Sequence, residues 1–578
     1  MSLTAAFEIG RTALAASQIG IQIAGNNMAN SATPGYSRQV GRFVPLRGDG
    51  SIPGITIGGG VGVRSVQRQV DMALQSRLWG SASDMAATQS QQQIFSQIED
   101  TLGELGNNDL SSQLSSFFQS WSEQSNQTPT AASVIQKGDQ LASFVRRLRN
   151  DLTDQTRQVD DQIGASVTRA NQLMVQIAGL NQAIASSEVG GNTANTLRDQ
   201  RDSAVGELSS IMDVTVVDHG SQGMDVLVGS TPVVLGGQTR GIEVRRQVVD
   251  GETQMSVGTV ADGAQLTIRS GSIGALLAQR TSAVQDTVSK LDQLTSNIIF
   301  EVNKLHSTGR NADGLTQTTG TLSIASGDRS LALNDPNNQT FGGLPFHAVN
   351  GGFMVNVRQK DTGAVTQVRI NVDLDGITNA GTPGTGDDTT AADIQSQLNA
   401  VPGLSASFTA DGKLQVTASQ GYDFSFSDDS SGAVAVLGLN AYFTGTDARD
   451  IGVRDDLKSD PSLLTTGRDV NGQFVENGTA MAITGLQDTA IPSLGGQTLQ
   501  GLWRTTVQGV GSDAAAATTA AQAASVVHDS LDAQRSAISG VSIDEESINL
   551  MDYQRQYQGA AKIISVADQM MQELMQLL

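Results

Sequence analysis

A chain of 578 residues with 38% hydrophobic composition is too long to organise around one core, so several domains are expected. Its formal charge of −22 excludes a nucleic-acid partner, which needs clustered Lys and Arg to meet phosphates. The lack of cysteine excludes disulfides, thiol catalysis and thiolate metal sites, and 4% aromatics beside 63 glycines suit elongated helices and loop-rich β regions better than a compact enzyme.

Taken in chain order, residues 3–28 read as one helix. Leu3, Phe7, Gly10, Leu14, Ser17, Ile21, Ala24 and Met28 follow 4-3 spacing, and Ala6, Ile9, Ala13, Ala16, Gly20 and Ile23 form a second seam. Two seams make a face wider than one partner helix covers. At 1.5 Å per residue the helix is about 39 Å long, and Thr33-Pro34-Gly35 ends it. Residues 1–20 lack the basic start and unbroken apolar run of a cleaved signal, and no run is long enough to cross a bilayer.

Arg42 to Val66 reads as β structure with glycines at 58, 59, 60 and 62. Helix is expected from about 70 to 212, interrupted near Gly106, Pro129 and Gly190-Gly191. The period changes over 214–271, where β-branched runs alternate with Gly-rich turns, and helix resumes from Ile273 to His306. Residues 313–477 carry 20 acidic against 9 basic residues, a net −11, and half the charge of the chain. Their Asp, Gly and Thr content disfavours helix, so one or two β domains are expected, with strands such as Gly352–Arg358 and Val365–Val372. Helix returns near 479–490 and strongly from Ser512 to the end.

The last residues carry the cleanest periodicity. Leu550, Tyr553, Tyr557, Ala560, Ile564, Ala567, Met571, Leu574 and Leu578 keep 3-4 spacing over four heptads. Such a stripe either packs on its own domain or pairs with the N-terminal helix and with neighbouring subunits; the second N-terminal seam favours assembly. Apolar seams at both chain ends predict termini that are disordered or loosely helical in the free chain and order on assembly.

Sequences suggestive of chemistry have plainer readings. Gly509-Val-Gly511-Ser-Asp-Ala514 follows a strand-like Leu502–Gln508 and matches a dinucleotide pattern, but no further strand follows, so a loop entering a helix with Asp513 near its positive end is expected. The four histidines have no i, i+4 partner and no H-E-x-x-H occurs. Asp373-Leu374-Asp375-Gly376 lacks the spacing and closing Glu of a calcium loop and reads as a turn. Asp544, Glu545 and Glu546 read as helix-start carboxylates. Asn26, Asn27 and Asn30 are either a fraying, capped helix end or a polar cluster fixing register between packed subunits. No catalytic residue, cofactor or metal ligand is therefore expected.

The run Ile23-Ala-Gly-Asn-Asn-Met-Ala-Asn-Ser-Ala-Thr-Pro-Gly-Tyr36 resembles the N-terminal signature of the flagellar axial proteins, the rod, hook and hook-associated proteins. The continuation Tyr36-Ser-Arg38-Gln39, the segment Ser539-Gly-Val-Ser-Ile-Asp-Glu-Glu546, then Tyr553-Gln554 and Ala567-Asp568, resemble the hook-associated members more than rod or hook proteins. Leu197-Arg-Asp-Gln-Arg-Asp202, and Ser272-Ile-Gly-Ala-Leu-Leu277 through Val302-Asn303 and His306, are similar to internal motifs of the same members.

That resemblance implies a structural subunit joining hook to filament, exported without a cleaved signal and extracellular. Its partners would be the hook protein, a second junction hook-associated protein, its own copies in a ring, and an export chaperone at the C-terminal helix. It further implies assembly contacts at Leu3, Phe7, Leu14, Ile21, Leu550, Tyr553, Tyr557, Ile564, Met571 and Leu574. Asn26, Asn27, Asn30, Pro34, Gly35 and Tyr36 would shape the inner-tube turn, with Arg38 and Gln39 among the assembly contacts. The expected fold is multidomain α+β: terminal helices forming a coiled coil (1–40 and 541–578), a discontinuous helical bundle (41–213, 272–312 and 478–540), a small β domain (214–271) and acidic β-rich outer domains (313–477). Two alternatives stand beside this, another axial component, or a secreted protein with a binding or enzymatic insertion at 313–477.

Overall fold

The computed structural model describes residues 3–47, 58–103, 109–126, 131–191, 193–249, 252–470 and 473–576. The breaks expected at Gly106 and Pro129, and the last seam residue Leu578, lie outside the described residues. The fold is α+β. Helix α1 spans Leu3–Ala29, α2 Met72–Leu102, α3 Leu110–Ser125, α4 Ala131–Ser187 and α5 Asn195–Ile211. Two further long helices, Leu499–Ser539 and Ile543–Gln576, close the chain. The chain divides into two compact units, one of residues 1–94, 158–281 and 515–578, the other of 95–157 and 282–514.

In the first unit the hairpin β1 (Gln39–Pro45) and β2 (Val61–Arg68) lies on α1: a Cβ on Gly41 would stand 3.1 Å from Ile23. Strands β3 (Val214–Asp218), β4 (Met224–Val228), β5 (Thr231–Leu235) and β6 (Gln238–Thr239) form a sheet in sequence order. Met224, Val226 and Val228 alternate inward along β4, as a half-covered sheet requires. Asn181 of α4 bonds the Met224 carbonyl at 2.8 Å and the Gly236 carbonyl at 2.7 Å, tying helix to sheet. Strands β7 (Ile242–Val249) and β8 (Glu252–Thr259) form a separate hairpin. Gly190 and Gly191 take positive φ values of 99° and 90° at the break after α4, the left-handed conformation that favours glycine. The helix expected from Ile273 to His306 is not uniform. It consists of α6 (Gly271–Gln279), a π-helical stretch over Arg280–Gln285, and α7 (Asp286–Ser307). Arg280 at the start of that stretch is buried, pairing with Asp160 and donating to the Thr253 carbonyl at 2.6 Å.

The second unit contains two three-stranded antiparallel sheets. One orders β11 (Val365–Val372), β10 (Gly351–Gln359) and β14 (Tyr422–Ser427); the other orders β12 (Leu404–Phe408), β13 (Lys413–Ala418) and β9 (Gln317–Ser323). Phe353, Val355, Val357, Ile370, Phe424 and Phe426 fill the core between strands and helix. That helix, Ala391–Asn399, was masked in the sequence by the Asp-rich composition. Here Asp393 builds the helix start, accepting from the Thr390 backbone N–H while Thr390 accepts from Asp393 N–H, and Ala391, Ile394 and Leu398 bury one face. A second core gathers Phe117, Phe118 and Trp121 of α3 with Tyr442, Phe443 and His306, all fully buried.

Three sequence expectations are corrected. Leu502–Gln508 is not a strand, and Gly509–Ala514 is not a loop; both lie inside Leu499–Ser539. Leu502, Trp503, Val510, Ala514, Ala517 and Ala521 are buried at helical spacing, and burial of that face outweighs the weak helix preference of glycine. Asp513 is consequently mid-helix. Helix also does not run unbroken to the end, because Gly540 and its neighbours separate the last two helices.

Candidate functional site

The apolar seams of the two chain ends meet within the chain. Helix α1 and the C-terminal helix run antiparallel: Gly10 faces Ile564, Gly20 faces Tyr553, and Asn27 bonds Glu546. In this structure the two termini are helices paired with each other. Small residues make this possible. The buried line of α1 is Gly10, Ala16, Ser17, Gly20, Ala24 and Asn27, the first five drawn from the two predicted seams, and Gly10 lies against the Ala560 backbone. A Cβ on Gly20 would stand 2.5 Å from the Tyr553 ring, and one on Gly10 2.8 Å from Ile564. The larger seam residues flank this contact. Leu3, Leu14, Ile21, Leu550, Tyr553 and Ile564 are half-buried, whereas Phe7, Tyr557, Met571 and Leu574 stay 38–47% exposed.

Gly25 meets nothing within 4 Å of a built Cβ, so the two glycines give opposite expected results. Gly25→Ala should stabilise α1 by about 0.5–1 kcal/mol through helix propensity. Gly20→Ala should destabilise the pair by about 1–3 kcal/mol, because the Tyr553 ring must leave its place. Hydrogen exchange of residues 3–29 in the two variants checks this.

At the end of α1 the chain turns through Pro34 and Gly35 into β1, and a polar cluster fixes that turn. Gly35 has φ +78° and sits against Ser203 of α5. Asn27 is fully buried and uses its whole amide. Its Nδ2 donates to the Gln39 carbonyl at 2.9 Å and to Glu546 Oε2 at 3.1 Å; its Oδ1 accepts from Gln39 N–H at 3.0 Å. The Tyr36 hydroxyl lies 2.8 Å from Asn27 Oδ1 and 2.9 Å from Asn26 Oδ1, its single hydrogen shared between them. Asn30 caps the helix end, donating from Nδ2 to the Asn26 carbonyl at 3.0 Å. Asn27 thus sets the register of two helices in one chain, while Asn26 and Asn30 hold the helix end.

Glu546 is the residue underestimated by its reading as a helix-start carboxylate. It lies in the first turn of the last helix with its side chain 3% exposed. It accepts from Arg38 at 2.7 and 2.9 Å as well as from Asn27, whereas Glu545, 63% exposed, reaches Arg38 at only 3.3 Å. The Arg38 backbone is also held, its N–H donating to the Ser539 carbonyl at 2.8 Å. Below the turn, Ser37 N–H donates to Asp199 at 3.3 Å, and Arg68 bonds Asp199 and Asp202 at 2.8 Å each. The motif at 197–202 is therefore the floor on which the turn rests. Burial, aided by the Asp199 and Glu546 carboxylates, pushes the Tyr36 phenol from 10.0 up to about 12. Burial likewise raises the Asp199 carboxyl, opposed by Arg68.

Asp199, Arg68, Gly10 and Gly20 were not singled out as site residues. Glycine recurring on an apolar seam was the available signal for the close helix approach. The ion pairs had none, since their partners lie far apart in sequence. What these groups do is mechanical: ion pairs and amide bonds lock two helices and a turn into one rigid end.

Comparison with known proteins agrees along the whole chain. A model described as the flagellar hook-associated protein FlgK helical domain matches residues 95–321, and one described as the flagellar basal body rod FlgEFG protein C-terminal matches 533–577. Flagellar hook-associated protein 1 of Salmonella typhimurium is 27% identical over 583 residues, 97% of this chain and 98% of the relative. The Escherichia coli K12 protein of that name is 25% identical over 584 residues, 96% of each chain. That of Bacillus subtilis is 31% identical over 270 residues, 44% of this chain and 50% of the relative. A solved structure of the flagellar hook junction protein FlgK from Burkholderia pseudomallei is 17% identical, with a TM-score of 0.48 over 80% of this chain and 100% of that one. With its helical middle and its C-terminal helix both matched, this chain is similar to flagellar hook-associated protein 1 (FlgK), a structural protein of the flagellum, over nearly its whole length.

Proposed function

We propose that the chain is an extracellular junction subunit that joins filament to hook. The observation that carries this reading is the apolar surface left over once the terminal helices have paired. Ile548, Met551, Ile563, Val566, Met570 and Met575 are 43–75% exposed along the C-terminal helix. Leu3, Ala6 and Ala567 join part of this row as the walls of an apolar groove. A monomer with no further partner rarely leaves so long an apolar stripe in water. Head-to-tail contacts between copies would bury it and build a ring.

In this proposal residues 1–40 and 541–578 form the inner wall, 41–213, 272–312 and 478–540 a surrounding helical domain, and 214–271 and 313–477 the outward parts. Phe7, Tyr557, Met571 and Leu574 contact neighbouring copies. Asn27, Tyr36, Arg38 and Gln39 keep the turn in shape. The hook protein stands on one side of the ring and a second hook-associated protein on the other. Before assembly the C-terminal helix is offered to an export chaperone. The match of the helical domain at 95–321 to a FlgK model favours this over a rod or hook protein, with which the C-terminal match is shared.

Deletion of the gene tests the reading. Complete hooks without filaments, and flagellin lost to the medium, are expected; normal filaments on the deleted strain, with no second copy present, would overturn it.

A further inference from the structure

We infer that the segment 373–388 of the second unit holds a calcium ion. By sequence Asp373-Leu374-Asp375-Gly376 is a turn, lacking the spacing and closing Glu of a calcium loop. The fold supplies one from farther along. Asp373, Asp375 and Asp388 each place a carboxylate oxygen within 4.8 Å of the others. A calcium shell of 2.3–2.6 Å radius spans up to about 4.6–5.2 Å, so one ion can reach all three carboxylates.

Three clustered acids are not in themselves a site, and Asp388 supplies the independent observation. It is 3% exposed. Its Oδ2 accepts from Asn334 Nδ2 at 2.7 Å and from Gly376 N–H at 3.2 Å. Its Oδ1 is buried with no hydrogen-bond donor. Among the described residues no Lys or Arg forms an ion pair with any of the three. A buried carboxylate oxygen without donor or cation, beside two more carboxylates, is costly unless a cation is shared among them. Two of the ligands are solvent-exposed, so water completes the shell, which suits calcium's tolerance of irregular geometry.

The loop is closed at its base, where Thr389 N–H donates to the Asp373 carbonyl at 2.7 Å and Asp373 N–H to Thr389 Oγ1 at 2.8 Å. The ion would pin the intervening residues to that base and to Asn334. It therefore stiffens this loop in proportion to the surrounding calcium.

The test uses the full chain, stripped with a chelator and titrated with CaCl2 up to about 10 mM in about 0.15 M NaCl. Hydrogen exchange of residues 374–388 is expected to slow, with half-saturation at about 10⁻⁴–10⁻³ M, as in extracellular modules. D388N turns an amide donor into the centre, and D375N removes an exposed ligand without touching the core. Each should weaken the response by about tenfold or more, the loss of one charged ligand. D361N, an exposed acid outside the cluster, should leave it unchanged. Three results overturn the proposal: no calcium response in the unmodified chain, a D361N effect equal to that of D375N, or equal protection by magnesium.

Discussion

Glu546→Ala is expected to release the C-terminal helix from the turn after α1, at a cost of about 3–5 kcal/mol, the usual penalty for removing one partner of a buried ion pair. The cost comes from what is left behind. Arg38, whose side chain is 19% exposed, loses its short partner, and the buried Asn27 Nδ2 loses an acceptor. Glu545→Ala, one residue away, removes an exposed carboxylate and should change stability by only about 0.2–1 kcal/mol. Glu546→Gln keeps the acceptor for Asn27 and loses the charge, so it should fall between the two. Hydrogen exchange of residues 24–39 and 543–556, with denaturant titration of each variant, measures the ordering. Equal effects of the 545 and 546 changes would mean that burial does not set the strength of this contact. In cells, E546A should restore filaments to a deletion strain less well than E545A.

Acid is expected to unfold the second unit through His306. The imidazole is fully buried between Trp121 and Tyr442, and its tautomer is set by its partners. The Asn440 carbonyl, 2.7 Å from Nδ1, can only accept, and Thr465 N–H, 3.1 Å from Nε2, can only donate. The neutral ring with its hydrogen on Nδ1 satisfies both; a second proton on Nε2 would face the Thr465 donor. Burial drives the pKa down from 6.5 to about 3, with the Arg454 charge assisting and the Asn440 bond opposing.

The unfolded chain takes up this proton below about 6.5, the folded chain only near 3, so stability is intact above 6.5 and drains as pH falls through that window. Each unit of pH in the window costs up to about 1.4 kcal/mol, on the order of a few kcal/mol in all. Urea unfolding followed by tryptophan fluorescence between pH 7 and about 4 reads it. His306→Gln can still donate and accept but does not titrate, so its acid limb should be flatter. An unchanged acid limb would assign the loss to carboxylates elsewhere.

Much of the architecture was legible because it is written in local patterns. The 4-3 spacing from Leu3, the Pro34-Gly35 stop, the glycines at 190 and 191, and the alternating valines of 214–234 all act within a few residues of themselves. Misreadings arose where composition spoke against packing. Leu502–Gln508 is β-like by residue type and helical by burial, and Thr390–Asp393 was lost within an acidic background although it is a capping box.

The sequence alone determined the α+β class, the helical ends and, through its motifs, the axial-protein resemblance, since each depends on neighbours along the chain. The tertiary structure decided which acids matter. Glu546 and Asn27 are 519 positions apart, and Asp388 reaches Asp373 only because a loop closes. Burial and pairing set the energy of a charge, and both are properties of contacts that no local pattern encodes.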